Sequence, residues 1–169
     1  VLKKIKRPKN NFLIQKYNLK NSFNIIFVGR IIREKGVLDA VKIFKLLKIK
    51  NKKLIFAGGF DNSSFSEKID KKLFNYPGII FLNHLKNTSK VFDLGDLFIL
   101  PSETESFGLA ALEAMMMKVP VISSNTGGLS EVNVEGKTGF LFDVGDIDGM
   151  AKKSIELLNN EDLLEQFKT

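Results

Sequence analysis

Six short apolar runs alternate with amphipathic segments along the chain, and this alternation constrains the fold more than any other feature. The runs contain Ile, Phe, Val and Leu without polar alternation, as strands covered on both faces do. They are Asn24–Val28, Lys53–Ala57, Ile79–Leu82, Leu97–Leu100, Pro120–Ser123 and Thr138–Phe142. This repeated strand–helix–strand order predicts an α/β fold, a doubly wound parallel six-stranded Rossmann-like sheet with right-handed crossovers.

The segments between the runs carry apolar residues at helical spacing. The first predicted helix has Val37, Val41, Phe44 and Leu47 on one face, the second has Phe65, Ile69 and Leu73, and the last has Ile147, Met150, Ala151, Ser154 and Leu158. A shorter helix is predicted from Asn87 to Leu94, begun by Thr88. In such folds ligands bind beyond the carboxyl ends of the strands, so the candidate site residues are sought in the loops there.

Length and composition indicate one domain. The chain has 169 residues, of which 44% are hydrophobic, and this suffices for one packed core. It begins at Val1 and stops at Thr169 within a helical pattern, which suggests a piece of a longer polypeptide. There is no cysteine, and no apolar run approaches the ~20 residues that span a bilayer. We therefore expect a cytoplasmic protein.

The formal net charge of +7 comes from the beginning of the chain. Residues 1–20 contain seven basic residues and no acid, and the remaining 19 basic residues balance 19 acidic ones. We predict a basic leading segment over residues 1–20 and a globular domain over residues 21–169. A solvated linker is the favoured interpretation of the leading segment, with contact to an anionic membrane surface as the alternative. The neutral globular part argues against a nucleic-acid partner.

The loop after the first strand reads GRIIREKG, from Gly29 to Gly36. Gly29 permits a tight turn, while Arg30 and Lys35 bring two cations to a helix start, where the macrodipole is already positive. A bound anion would explain them, because Arg offers a planar fork for phosphate oxygens and Lys a mobile charge. Pairing with Glu34 or nearby carboxylates on a solvated face explains this motif equally well when it is taken alone.

The loop after the fourth strand leads into LPSETESFGLAALEAM. Ser106, Phe107, Gly108 and Leu109 are predicted to form the first turn of a helix, whose backbone N–H groups would face a ligand. A glycine in a helix costs up to ~1 kcal/mol relative to alanine. Close approach of a phosphate or a sugar would explain Gly108 at this position.

Two acids flank this turn. Glu113 lies in a run of Ala, Leu and Met that predicts burial, and an unpaired buried carboxylate costs on the order of several kcal/mol. It shares the face of Ser106 and Leu109, so it is expected to accept hydrogen bonds from paired hydroxyls such as those of a ribose. A buried salt bridge is the alternative. Glu105 stands at the mouth of the turn, where a favourable charge beside a helix N-terminus is the alternative explanation.

Four motifs together resemble a known family. They are VGRIIREKG, LPSETESFGLAALEAM with seven residues between Glu105 and Glu113, VPVISSNTGGLSEV and GKTGFLF. In this order they resemble the C-terminal domain of GT-B-fold retaining glycosyltransferases of family 4, from about Asn24 to Leu158. Residues Ser102 to Gly145 look especially like the enzymes that transfer N-acetylglucosamine to L-malate in bacillithiol synthesis. The resemblance implies one half of a GT-B fold, without its N-terminal acceptor domain.

The resemblance also implies roles for the residues that match the family's motifs. Arg30 and Lys35 would neutralise the diphosphate of a nucleotide-sugar donor and the leaving group. Glu105 would lie near the hydroxyls of the transferred sugar, and these three residues are the expected catalytic groups. Glu113 would bind the ribose hydroxyls of the nucleotide.

Further donor contacts implied by the resemblance are made by the main chain. The backbone of Ser106, Phe107, Gly108 and Leu109 would hold sugar and phosphate, and Gly29 would turn the chain beside them. Main-chain contacts to the base are expected near Leu85 and Lys86. Asn83 and Phe60 stand where many family members have glycine, which bears on the fit of the nucleoside.

The implied function is transfer of a hexosyl group from a nucleotide sugar, by family frequency a UDP-sugar, to an acceptor hydroxyl with retained anomeric configuration. Fixed donors aimed at the leaving diphosphate would stabilise the transition state, so no metal or other cofactor is expected. Asp146 and Asp148 look like a metal-binding pair of another glycosyltransferase class, but Asp is also favoured as a helix cap. The isolated domain is expected to be inactive, because the partner domain completes the cleft.

Two other classes stay open at this point. A non-catalytic nucleotide-sugar binding module would keep the pocket without an acceptor domain. A dinucleotide-dependent oxidoreductase would need G-x-G-x-x-G after the first strand, whereas the chain reads G-R-I-I-R-E-K-G there. A peripheral position at the inner face of the membrane, through the basic leading segment, is a further expectation.

Overall fold

A computed structural model describes residues 12–60, 75–83 and 85–167 of the chain. Its strands are all parallel and form one six-stranded sheet. They are β1 (Phe23–Val28), β2 (Lys52–Ala57), β3 (Ile79–Leu82), β4 (Leu97–Leu100), β5 (Val121–Ser124) and β6 (Gly139–Phe142). Each strand lies within one residue of a predicted apolar run, and the predicted α/β fold is confirmed.

The strand order is β3-β2-β1-β4-β5-β6. The chain therefore builds outward from β1 in one direction and from β4 in the other. Right-handed crossovers in the two directions place their helices on opposite faces of the sheet. The two central strands, β1 and β4, mark the point where the order reverses, and ligands of open α/β sheets bind beside that point.

The described α-helices precede the first strand, connect the strands or follow the last one. They are α1 (Phe12–Lys16), α2 (Val37–Leu46), α3 (Ser89–Phe92), α4 (Leu109–Met116), α5 (Leu129–Val132), α6 (Ile147–Asn159) and α7 (Glu161–Gln166). The predicted faces of α2 and α6 are confirmed, because Val37, Val41 and Phe44 are buried in α2, and Met150 and Ser154 in α6. The helix predicted around Phe65, Ile69 and Leu73 lies outside the described residues.

Phenylalanine rings fill much of the core on the β1–β2–β3 side of the sheet. The rings of Phe27 and Phe56 lie 5.2 Å apart, and Phe56 stacks on Phe81 with centroids 4.9 Å apart. Burying a side chain of this size stabilises a fold by about 1.5–3 kcal/mol. The apolar runs of the sequence thus form strands because the sheet is covered on both faces.

The packed domain extends into the segment predicted as a basic leader. Leu13 of α1 is 4% exposed and Leu19 is 1% exposed, and both belong to the hydrophobic core. The packed domain therefore begins before residue 21. In the ranges that the structure describes, no helix is both long and apolar enough to cross a membrane.

Lysine residues lie at the ends of two helices. Lys52 donates through Nζ to the carbonyl oxygens of Phe44 and Leu47 at the end of α2, and burial lowers the pKa of Lys52. After α4, Lys118 has a φ of 59°. Its N–H donates to the carbonyl of Met115, and the next N–H, that of Val119, donates to Ala114. These two hydrogen bonds form a Schellman motif, in which the left-handed residue is usually glycine.

Candidate functional site

A cleft opens at the carboxyl edge of the sheet, where the loops after β1, β4 and β5 meet. Its volume is about 640 Å³, and it is lined by Arg30, Ile32, Glu34, Lys35, Thr104, Glu105, Ser106, Thr126 and Gly127. The loops after β1 and β4 belong to the two strands between which the order reverses. The cleft therefore occupies the place where ligands of doubly wound sheets bind.

Four residues predicted as site residues meet in this cleft: Arg30, Lys35, Glu105 and Ser106. Lys35 Nζ lies 2.6 Å from Glu105 Oε2, and the two side chains are 20% and 11% exposed. Lys35 therefore does pair with a carboxylate, as one interpretation of the sequence proposed. This carboxylate lies inside the cleft and not on a solvated face. An anion that binds Lys35 has to compete with Glu105 for it.

Main-chain contacts fix the loop after β1 against the loop after β4. Glu103 N–H donates to the carbonyl of Glu34 at 2.8 Å. Gly36 has a φ of 75°, and a Cβ added to it would lie 2.0 Å from the carbonyl oxygen of Pro101. Only glycine fits here, because a side chain would overlap the neighbouring backbone. This contact holds Lys35 beside Glu105.

The loop after β5 packs against the other side of the β4 loop. A Cβ added to Gly127 would lie 1.7 Å from the carbonyl oxygen of Glu105, and Gly127 has a φ of 50°. Gly128 N–H donates to that same carbonyl at 3.2 Å, and Thr126 Oγ1 donates to the carbonyl of Glu103 at 3.2 Å. The two glycines permit this approach of one backbone to another, and Thr126 is a cleft residue that sequence reasoning missed.

The start of α4 differs from the prediction. The helix begins at Leu109, so Ser106, Phe107 and Gly108 form the loop before it and not its first turn. Gly108 has a φ of 83°, a conformation that L residues avoid, and this accounts for the glycine without a ligand. The cleft lining includes Ser106, whereas Phe107 and Leu109 are large exposed apolar residues.

The predicted burial of Glu113 is wrong. Its side chain is exposed, and its Oε2 accepts a hydrogen bond from Thr88 Oγ1 at 3.1 Å. Ala111 and Ala114 are the buried residues of α4, while Leu112 is 37% and Met116 75% exposed. The small residues thus face inward, and Leu112 and Met116 point outward together with Glu113, whereas Met115 packs partly against the core.

The remaining predicted site residues lie at the same edge of the sheet. Gly29 follows β1 directly, and its N–H donates to the carbonyl of Ala57 at 3.0 Å. Leu85 is partly buried against the core, and Lys86 is exposed in the loop after β3. The structure thus brings the cations and Glu105 into one cleft, and it places Glu113 beside the β3–α3 connection.

Asp146 and Asp148 both lie at the start of α6. Asp146 caps α6, because its Oδ1 accepts a hydrogen bond from the N–H of Gly149 at 2.9 Å. The predicted cap is therefore present. Among residues 12–60, 75–83 and 85–167, there is no group of three or more His, Cys, Asp or Glu that could hold a metal ion.

Fold and cleft define a class: a Rossmann-like domain with an open parallel sheet and a polar cleft at its switch point. Residues 9–169 match the family described as glycosyl transferases group 1. The chain belongs to this family, and its fold is that of a GT-B glycosyltransferase domain.

Curated relatives carry the same domain within longer chains. The chain is 32% identical over 161 residues to the capsular polysaccharide biosynthesis glycosyltransferase CapM of Staphylococcus aureus, covering 92% of this chain and 42% of the relative. It is 35% identical over 153 residues to the N-acetyl-alpha-D-glucosaminyl L-malate synthase of Bacillus anthracis, covering 89% and 40%. The chain thus spans about two fifths of the length of these relatives.

Solved structures share the fold at lower identity. A crystal structure of Anabaena Alr3699/HepE in complex with UDP and glucose superposes with a TM-score of 0.85 at 20% identity, over 94% of this chain and 44% of that one. The C-terminal domain of the glycosyl transferase group 1 family protein LpcC of Francisella tularensis gives a TM-score of 0.77 at 23% identity, over 96% and 89%.

Proposed function

We propose that this chain is the donor-binding domain of a retaining glycosyltransferase of family 4, and that its cleft binds a nucleotide sugar. The observation that carries the proposal is the convergence of Arg30, Lys35, Glu105 and Ser106 in one cleft at the switch point of the sheet. The relative HepE was crystallised with UDP and glucose, which favours a UDP-sugar.

The cleft supplies the charges that breaking a glycosyl–phosphate bond requires. Negative charge would grow on the leaving diphosphate, and Arg30 and Lys35 are the cations that line the cleft. The first N–H groups of α4 have no partner within the helix and add to this field. Preorganised donors of this kind stabilise the transition state without reorganisation, so the proposed reaction needs no metal.

The ion pair between Lys35 and Glu105 would couple binding of the donor's diphosphate to binding of its sugar. When the diphosphate takes Lys35, the carboxylate of Glu105 loses its partner and becomes an acceptor for hydroxyls of the sugar. Glu105 would therefore bind the hydroxyls of the sugar only after the phosphates are bound. Because both side chains are mostly buried, this exchange occurs where electrostatic interactions are stronger than in bulk water.

Activity on an acceptor belongs, in this proposal, to the full-length protein. The family relatives are more than twice as long as the matched segment, and we infer an N-terminal domain that supplies the acceptor site. The chain alone would bind donor weakly and turn over little or nothing. We further propose a cytoplasmic location, with peripheral membrane contact through the basic leading segment.

Calorimetry with UDP, UDP-glucose, UDP-N-acetylglucosamine and GDP-mannose tests the proposal. Arg30→Ala should weaken the preferred ligand about tenfold, which corresponds to about 1.4 kcal/mol. Arg33→Ala is the matched control, because Arg33 lies in the same loop but does not line the cleft, and its Nε lies 3.7 Å from Glu103 Oε1. Absence of heat with all four ligands, in a chain with an intact circular dichroism spectrum, would refute the binding proposal.

A further inference from the structure

We infer that Thr88 is a positioning residue that holds Glu113 in the orientation needed to accept the ribose hydroxyls. The inference rests on the proposed function. Thr88 lies in the connection between β3 and α3, and Glu113 lies on α4. The 3.1 Å bond from Thr88 Oγ1 to Glu113 Oε2 joins these two elements across 25 residues of sequence.

The hydroxyl of Thr88 is not used as its position in the helix would predict. Thr88 is the N-cap residue of α3, and an N-cap threonine ordinarily accepts a hydrogen bond from an N–H of the first turn. No such side-chain bond is present at Thr88. Instead, Asn87 Oδ1 accepts hydrogen bonds from the N–H and the hydroxyl of Ser89. The Thr88 hydroxyl is thus bonded to Glu113 and not to the first turn of α3.

Glu113 needs such a partner because it is exposed. A glutamate on a helix surface samples several rotamers, and fixing it in one of them costs side-chain entropy. The Thr88 hydroxyl donates to one carboxylate oxygen, Oε2. The other oxygen, Oε1, is then presented to a ligand in a restricted range of directions.

The test compares UDP with 2′,3′-dideoxy-UDP, which lacks the hydroxyls that Glu113 would bind. Thr88→Val keeps the shape of the side chain and removes its hydroxyl. It should weaken UDP about five- to tenfold and leave the affinity for the dideoxy ligand unchanged. Thr88→Ser, which keeps the hydroxyl, should restore UDP binding. In a Glu113→Gln background, Thr88→Val should have little further effect.

A matched control makes the same chemical change at a structural position. Thr138 Oγ1 accepts a bond from Val134 N–H at 2.7 Å and donates to Asn133 Oδ1 at 3.1 Å. Thr138→Val should lower the thermal midpoint and leave UDP affinity unchanged. Thr88→Val should weaken UDP binding and leave the thermal midpoint unchanged.

Two results would overturn the inference on Thr88 alone. One is a Glu113→Gln protein that binds UDP weakly beside a Thr88→Val protein that binds it normally. The other is an equal loss of UDP and dideoxy-UDP affinity in Thr88→Val. A wild-type chain that binds neither UDP nor any nucleotide sugar would instead refute the proposed function, and the inference with it.

Discussion

Replacing Lys118 with glycine and, separately, with alanine tests how the Schellman motif ends α4. Lys118 is exposed and has a φ of 59°. Both substitutions remove the ammonium group and its favourable interaction with the C-terminus of the helix. They differ only in the Cβ, so their difference reports the free energy of the left-handed backbone.

The expected difference follows from two opposing terms. A residue with a Cβ in the left-handed conformation costs about 1–2 kcal/mol. Glycine loses more backbone entropy on folding, which offsets about 0.4–1 kcal/mol of that gain. Lys118→Gly should therefore be about 0.5–1 kcal/mol more stable than Lys118→Ala. For a chain of this length, that corresponds to a thermal midpoint about 1–4 °C higher.

Urea unfolding followed by circular dichroism measures the difference, with the same pair of substitutions at Lys152 as control. Lys152 is exposed in the interior of α6, where glycine should be about 1 kcal/mol less stable than alanine. The two sites should thus give opposite signs at equal denaturant slopes. Glycine that destabilises both sites relative to alanine would refute the assignment of a left-handed Lys118.

Three other predictions concern the cleft and one helix cap. Gly127→Ala should cost about 2 kcal/mol or more in urea unfolding, because its Cβ overlaps the backbone of Glu105. Gly136→Ala, with a similar positive φ of 71° but open space around it, should cost only about 1 kcal/mol. Glu105→Gln removes the counter-charge of Lys35, so calorimetry should show tighter binding of UDP and a smaller gain from adding the sugar. Unchanged affinities would contradict the proposed exchange of partners. Asp146→Ala should lower the free energy of unfolding by about 1 kcal/mol through loss of its cap, and no change in thermal midpoint would contradict that.

The strands were predictable because their signal is local. Each apolar run is long enough for one strand and too short for a helix, and both faces of a central parallel strand require apolar residues. The helix α1 was missed because its five residues, FLIQK, span little more than one helical turn. Leu13, Ile14, Tyr17 and Leu19 pack into or against the core, but so short a stretch does not establish a helical period.

The sequence predicts the charged residues of the candidate site, but it does not predict the backbone contacts that hold the loops of the site together. Loops that follow parallel strands lie at the carboxyl edge of the sheet, so the sequence could place Arg30, Lys35 and Glu105 at the same edge. The burial of Glu113 could not be judged in this way. An apolar helix buries only the face that neighbouring elements cover. In α4 that face contains Ala111 and Ala114. The contacts of Gly36 and Gly127 depend on the spacing between loops, which no single loop encodes.

The loops of the cleft contact one another mainly through backbone atoms and glycines. The contacts that hold the loops therefore depend little on the side chains that would meet a ligand. Exchanging Thr104, Ser106 or Thr126 alters which groups meet a ligand without removing the backbone contacts that hold the loops. Directed evolution of donor preference could therefore randomise these three positions while keeping Gly36, Gly127 and Gly128 constant.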